Sequence, residues 1–126
     1  MNILNLSPIK NDIVNLESVC FDYVKIASKL KKLKPHSAPG PDQINTRLLI
    51  ETADTVCVPL EHIFKLSMSE SLIPLDWKRA NVTPIFKKGS KFDCGNYRPV
   101  SLTSVICKTM ESLIRDEIVN HLSVNN

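Results

Sequence analysis

The sequence predicts an α+β fold that is mostly helical, with one short β-hairpin, at about residues 80 to 102, between helices. Three observations support this prediction. The 126 residues include eight prolines but only three glycines, which favours proline-punctuated helices over an all-β sandwich. Apolar residues recur at three- and four-residue intervals in three segments. One segment between them alternates instead and is rich in β-branched and aromatic residues.

The first helix is predicted over roughly residues 17 to 33. Its apolar stripe contains Val19, Tyr23, Ile26, Leu30 and Leu33. Lys25, Lys29 and Lys32 fall on the opposite side, where they either keep one face hydrated or contact a polyanion. Residues 1 to 17 are weakly patterned and are interpreted as a poorly ordered lead-in.

A proline-rich loop and a short helix are predicted next. Residues 35 to 42 read PHSAPGPD, in which three prolines remove backbone donors and Gly40 permits a turn that other residues resist. They are expected to form a stiff, exposed loop. Asn45 or Thr46 is then placed to cap a short helix that continues through Glu51.

A longer helix is predicted from about Asp54 to Ser71. Its apolar face contains Val56, Leu60, Ile63, Phe64 and Met68. The run Ala80 to Phe86 is predicted to be a strand, and Pro84 restricts it to a sheet edge or a bulge. Asn96 to Leu102 is the expected return strand, so the two form a hairpin with a basic tip.

The final helix is predicted after Thr103, a plausible N-cap. Its apolar positions are Val105, Ile106, Met110, Leu113, Ile114, Ile118 and Leu122. Asp116 and Glu117 on this helix are the one adjacent pair of acids in the chain. We interpret them as a solvated helical face, because two-metal chemistry requires a closer set of carboxylates.

The four cysteines lie far apart, with no CxxC pair and no histidine at a zinc-ligand spacing. We expect reduced thiols and no metal site, and we interpret the three histidines as structural or surface residues. No uncharged stretch approaches the ~20 residues of a membrane span, and no signal-peptide core is evident. The protein is therefore expected to be soluble and intracellular, with no membrane partner.

The positive charge is concentrated in two blocks, although the net charge is only +3. Residues 25 to 34 hold five lysines and no acid, and residues 78 to 98 hold six basic residues and Asp93. This pattern is typical of a polyanion-binding surface, while lysine runs also occur as ordinary solvated surface.

A basic hairpin tip could hold an anion. Lys87, Lys88, Lys91 and Arg98 would lie around it, within reach of one anionic group. Arginine's planar guanidinium suits bidentate phosphate recognition. No nucleophile elbow, HExxH motif or glycine-rich phosphate loop is present, so the residues predict binding and no catalytic residue.

Four runs of the sequence, in this order, resemble the opening blocks of the reverse transcriptases of non-LTR retrotransposons. They are SAPGPDQI at 37 to 44, PLEHIFKLSMSESLIPLDWKRANVTPIFKKG at 59 to 89, NYRPVSLTSV at 96 to 105, and KTMESLI at 108 to 114. The resemblance implies an RNA-directed DNA polymerase with a right-hand fold. Residues 18 to 126 would be a partial domain, comprising the fingers and the start of the palm and truncated at the C-terminus.

The resemblance also implies roles for individual residues. Arg98 is similar to the arginine that contacts the incoming nucleotide's triphosphate, and Lys87 and Lys88 are similar to basic residues lining the same pocket or the template. The remaining expected template or nucleic-acid contacts are Lys91, Lys78, Arg79, Gly40 and Asp42. Gln43 departs from the pattern, because the family usually has glycine there.

The partners implied are an RNA template or DNA/RNA hybrid and a deoxynucleotide triphosphate. The family's catalytic aspartates lie in palm motifs further along than Asn126, so magnesium is expected only for the full-length family enzyme. The leading hypothesis is a polymerase fragment that retains template and nucleotide-phosphate contacts but is inactive alone. The alternatives are a non-enzymatic nucleic-acid-binding module derived from such an element, and a helical interaction domain whose basic blocks are only surface.

Overall fold

A computed structural model describes residues 19–124 of the chain. In that range the elements are α1 (Tyr23–Lys31), α2 (Thr46–Glu51), α3 (Ala53–Glu70), β1 (Asn81–Phe86), β2 (Tyr97–Leu102) and α4 (Val105–Val124). A short 3₁₀ turn precedes each strand. The mostly helical α+β architecture is confirmed, whereas the predicted lead-in at residues 1 to 17 lies outside the described residues. No helix in the described range is both long and apolar enough to cross a bilayer.

Helix α1 begins later than predicted because Asp22 caps it. The Asp22 carboxylate accepts a hydrogen bond from the Val24 N–H at 3.0 Å. Tyr23, which was expected on the buried stripe, is exposed. Phe21, which lies just before the helix, fills the core instead and is only 1% exposed.

Helix α3 packs along α1 and supplies the centre of the core. Its buried apolar residues are Ala53, Cys57, Leu60 and Phe64. The bounds predicted for this helix and the burial of Leu60 and Phe64 are confirmed, but Ile63 is exposed. The Phe64 ring meets Phe21 edge-on, with ring centroids 5.6 Å apart.

Helix α4 buries only the first half of its predicted apolar stripe. Val105, Met110 and Leu113 are buried, and Ile106 and Ile114 pack against the core. Ile118 and Leu122 are exposed, contrary to the prediction. In the described structure the apolar side chains in the first half of this helix are therefore buried, and those in its second half are exposed to solvent.

Ion pairs join α1 to α4. The Lys25 Nζ lies 2.8 Å from Glu117 Oε1, and the Lys29 Nζ lies 2.5 Å from Asp116 Oδ2. Lys29 also donates a hydrogen bond to Ser112 Oγ. Lys25 and Lys29 therefore each have an acidic partner on α4, which the sequence analysis did not predict, and Asp116 and Glu117 face these lysines while remaining partly exposed.

The loop between α1 and α2 packs against the start of α4. Gly40 is buried, and a side chain there would place its Cβ 2.5 Å from the Thr103 carbonyl carbon and the Ser104 nitrogen. Glycine is needed for this close approach and not for an unusual turn, since the φ of Gly40 is not positive. The Ser104 Oγ accepts from the Cys107 N–H, so Ser104 caps α4 and the expectation for Thr103 is wrong.

The turn into α2 contains a residue in the left-handed region. Gln43 has a φ of 55°, which glycine adopts without steric cost. The N–H of Gln43 donates to the Gly40 carbonyl, and the Asp42 carboxylate accepts from the Ile44 N–H. The Asn45 side chain then caps α2, as predicted. The backbone at Gln43 thus explains why a glycine suits this position in the resembling family.

The Lys29–Asp116 pair gives a testable pH dependence. The hydrogen bond from Lys29 lowers the pKa of Asp116 below its ordinary value of 3.8. A carboxyl whose folded-state pKa is lowered stabilises the fold above its unfolded pKa, and this stability is lost as the pH falls through the folded pKa. We expect the free energy of unfolding, measured by urea titration, to fall more steeply below pH 3.8 in the native chain than in Asp116→Asn.

The charge-matched control is Glu70→Gln, which removes an exposed carboxylate with no ion-pair partner in the described range. It should keep the native pH dependence. An Asp116→Asn profile that overlays the native one would show that this ion pair contributes nothing.

The strain at Gln43 predicts a stabilising substitution. A left-handed backbone costs a non-glycine residue roughly 1–2 kcal/mol. Glycine avoids this cost, but its greater conformational entropy in the unfolded chain cancels part of the gain. We expect Gln43→Gly to raise the free energy of unfolding by about 0.5–1 kcal/mol. Gln43→Ala keeps the strain and should change little, because the side chain is exposed. A Gly variant no more stable than the Ala variant would contradict this account.

Candidate nucleic-acid interface

The hairpin is joined to the helical core through Trp77. This ring meets Phe64 edge-on, with centroids 5.9 Å apart, and lies in the 3₁₀ turn Leu75–Lys78. Lys78 and Arg79 follow it directly, exposed, at the entrance to β1. The aromatic contact therefore fixes where the basic segment leaves the core.

The predicted antiparallel hairpin is confirmed, with Asn81 opposite Leu102 and Phe86 opposite Tyr97. Pro84 lies opposite Pro99. Ladder hydrogen bonds alternate along such a pair of strands, and the Lys87 N–H donates to the Asn96 carbonyl at 2.8 Å. Hydrogen-bonded and non-hydrogen-bonded pairs alternate from that bond, so Pro84 and Pro99 form a non-hydrogen-bonded pair. Their missing N–H groups therefore remove no hydrogen bond from the sheet.

The register distributes the expected ligands over two faces. Arg98 pairs with Ile85, which lies two residues before Lys87. Because side chains alternate between faces along a strand, Lys87 and Arg98 lie diagonally on the same face. The Phe86 and Tyr97 rings lie on the other face, 5.5 Å apart. The Lys91 Nζ is 5.9 Å from the centroid of the Phe86 ring. The register thus places Lys87 and Arg98 on one face of the hairpin, and Lys91 lies with the aromatic pair.

Internal hydrogen bonds hold the tip, which begins at Lys88. Gly89 has a φ of +89°, and a side chain there would place its Cβ 2.7 Å from the Asn96 Nδ2. That amide nitrogen donates to the Ser90 carbonyl at 2.9 Å. On the other side, the Tyr97 hydroxyl donates to the Lys91 carbonyl at 2.9 Å. The backbone that carries the tip lysines is therefore tied across the loop.

Six basic side chains of the hairpin and its entrance are exposed and form no ion pair with any described residue. They are Lys78, Arg79, Lys87, Lys88, Lys91 and Arg98. The one acid of this block, Asp93, accepts a hydrogen bond from the Gly95 N–H and caps the second 3₁₀ turn. In the other block, Lys31 pairs with Asp54 at 2.6 Å, as Lys25 and Lys29 pair with α4. The two basic blocks therefore differ in the described structure: three lysines of the first block are paired with acids, and no basic residue of the second block is.

Gly40 and Asp42 lie away from these tip cations. Gly40 contacts Thr103 and Ser104, just beyond the end of β2, whereas the tip is a six-residue strand away, or roughly 20 Å. Asp42 has one oxygen on the Ile44 N–H and a second, buried oxygen without a partner among the described residues. Gly40 therefore packs at the base of the hairpin, while Asp42 shapes the turn into α2.

An aromatic residue at the tip was missed from the sequence. The side chain of Phe92 is 99% exposed, between Lys91 and Asp93. A lone aromatic between charged residues in a polar, glycine-containing loop is the signal that could have identified it. The Phe86–Tyr97 pair was likewise assigned only to strands.

The thiols and acids of the described residues form no disulfide and no metal-binding group. None of the four cysteines is in a disulfide in the described structure. Burial, with the nearby Glu111 carboxylate, raises the pKa of Cys107 to about 11, so this thiol is protonated at neutral pH. Within residues 19–124, no group of three histidine, cysteine or acidic residues could hold a metal ion.

Two known proteins are similar to this chain. The RNA-directed DNA polymerase from mobile element jockey of Drosophila melanogaster is 31% identical over 105 residues, which are 82% of this chain and 11% of that protein. The protein of the same description from Drosophila funebris is 30% identical over 96 residues, 75% of this chain and 10% of its own length. The chain spans about a tenth of the length of these curated relatives. No protein-family model matches it.

The packing of Gly40 predicts a loss of stability on enlargement. Gly40→Ala would force its new methyl group into the Thr103–Ser104 backbone, which cannot rotate away as a flexible side chain could. We expect the free energy of unfolding, from urea titration, to fall by about 1–3 kcal/mol. Gly95→Ala is the control, since its Cβ would meet only the Asp93 side chain. Equal losses in both variants would contradict the proposed close approach.

Proposed function

This chain is related to one segment of the reverse transcriptases of non-LTR retrotransposons, and we propose that its hairpin binds the phosphates of an RNA template and of an incoming nucleotide. In this proposal, residues 19–124 correspond to the fingers of a right-hand polymerase. RNA-directed DNA polymerase is the activity for which the relatives are named, and this chain spans about a tenth of their length. The function proposed for the chain itself is binding.

One observation carries the proposal: the hairpin cations lack acidic partners in the described structure, whereas three lysines of α1 have them. An unpaired, exposed cluster of cations attracts a polyanion, and neutralising phosphates releases the counterions condensed on them. A lysine already paired with a carboxylate must first lose that partner. The binding surface is therefore assigned to the hairpin and not to α1.

We assign different ligands to the cations of the hairpin and to those at its entrance. Arg98 presents a planar guanidinium that can hold two phosphate oxygens, and Lys87 adds a second charge diagonally beside it. We assign the nucleotide phosphates to this pair, with Lys88 at the adjoining turn. Lys78 and Arg79 extend the charge toward the core, where they would follow a template backbone.

The magnesium ions that the family implies do not fit the acids of this segment. Asp116 and Glu117 are the adjacent pair, and each faces a lysine of α1. A cation would have to displace both ammonium groups. No step of the proposed function is therefore assigned to a metal.

Salt dependence tests the proposal. The affinity for a labelled single-stranded RNA, measured by fluorescence anisotropy, should fall as salt rises, with log K decreasing by about 0.7 per decade of salt for each phosphate that the chain neutralises. We expect Lys87→Ala with Arg98→Ala to weaken binding and to reduce this slope by roughly 0.7 for each phosphate that is no longer neutralised. Arg98→Lys should recover the charge but not the bidentate geometry, and so rescue binding only in part.

The matched control removes the same charge from the other block. Lys32 and Lys34 are exposed and have no ion pair among the described residues, so Lys32→Ala with Lys34→Ala leaves the α1–α4 ion pairs intact. Because these two cations lie outside the hairpin cluster, this control should keep more of the native affinity and slope than the hairpin double variant. Equal weakening in both double variants would show that only net charge matters, and salt-independent binding would exclude the phosphate contacts.

A further inference from the structure

The hairpin tip holds an exposed phenylalanine on a constrained backbone. The Phe92 N–H donates to the Ser90 hydroxyl oxygen, and the next N–H, of Asp93, donates to the Ser90 carbonyl, both at 3.3 Å. The preceding carbonyl, of Lys91, accepts from the Tyr97 hydroxyl. Bonds on both sides of Phe92 thus hold the loop in a conformation that leaves the ring in solvent.

A second aromatic surface lies at the same end of the hairpin. Phe86 and Tyr97 pair across the last register position before the tip, and Phe86 remains 37% exposed. The Lys91 ammonium lies over the Phe86 ring. We call Phe86, Lys91, Phe92 and Tyr97 together the aromatic tip.

The combination of exposed rings and ammonium groups on this surface favours one class of ligand. An apolar protein surface would bury the ammonium groups of Lys88 and Lys91 without compensating charge, which is costly. A single-stranded nucleic acid offers both flat rings that stack on aromatic side chains and phosphates for adjacent cations. The bases of a duplex are already stacked on each other, so their faces are not available.

We propose that the aromatic tip stacks against unpaired bases of single-stranded RNA, with Phe92 as the main platform and Lys91 beside the strand. This inference rests on the proposed function and adds recognition of bases to the phosphate contacts of Lys87 and Arg98. RNA is the strand to which we assign it, because the template is the single strand in the proposed function.

The first test compares single strands with duplexes, using the full 126-residue chain. The probes are a labelled RNA of about 12 nucleotides, within the range of single-strand site sizes, and its duplex form. Stacking contributes enough that Phe92→Ala should weaken binding to the single strand by about tenfold. Binding to the duplex and the salt slope should not change, because no charge is removed. Leu72→Ala, which truncates an exposed side chain outside the hairpin, should bind like the native chain.

The second test reads stacking directly. In Phe92→Trp the platform is kept, so affinity for the single strand should equal or exceed the native value, and the new indole emission should be quenched by single-stranded RNA but not by duplex. An RNA with abasic sites should bind the native chain and Phe92→Ala equally, since it has no base to stack. Native Trp77 emission provides the background.

The outcomes separate the two proposals. Unchanged single-strand affinity in Phe92→Ala, or no quenching in Phe92→Trp, overturns the stacking inference even if binding remains salt-dependent, in which case the phosphate contacts stand. Equal weakening for single strand and duplex also overturns it, because Phe92 would then act through the shape of the loop. Tighter binding to single-stranded DNA than to RNA overturns the assignment of the partner.

Discussion

The buried ring of Phe64 joins the helical core to the hairpin on which the proposed binding depends. It contacts Phe21, which lies just before α1, and Trp77, which lies just before β1. Each edge-on pair contributes about 0.5–1.5 kcal/mol beyond the burial of its area. The packing of α1 on α3 and the starting point of the hairpin therefore depend on the same side chain, so the exposed basic strands are positioned by the most deeply buried part of the chain.

The elements of the fold were predictable where their signals are local. Asn45 precedes the helix that it caps, and the alternation from Ala80 to Phe86 defines a strand without reference to the rest of the chain. The errors arose where distant segments meet. Phe21 replaces Tyr23 in the core because Phe64 lies beside it, and Gly40 is required by the backbone near Ser104. No periodicity within one segment contains such information.

The sequence composition predicts that the chain has basic surface, but it does not predict which of the two basic blocks lacks acidic partners in the fold. Two basic blocks are evident in the sequence, yet Lys25 and Glu117 lie 92 positions apart, so only the fold shows that they pair. Exposed pairs of this kind contribute about 0–1 kcal/mol each. Their larger consequence is electrostatic, because each places a carboxylate beside a lysine of α1 and so weakens the attraction of that helix for a polyanion. The hairpin and its entrance keep six exposed cations without an ion pair among the described residues, whereas in the first basic block only Lys32 and Lys34 do so.

The hairpin then combines exposure with a fixed backbone. Its strands pack little against the helices, and an isolated two-stranded hairpin is at best marginally stable. Here Trp77, before the first strand, and the Gly40 contact, after the second strand, both lie at the base, while hydrogen bonds of Asn96 and Tyr97 cross the tip. A ligand that binds such a scaffold orders side chains but little backbone, so less of the interaction energy is lost to conformational entropy. The constrained tip is thus a reason to expect that exposed charges and rings at this site can bind.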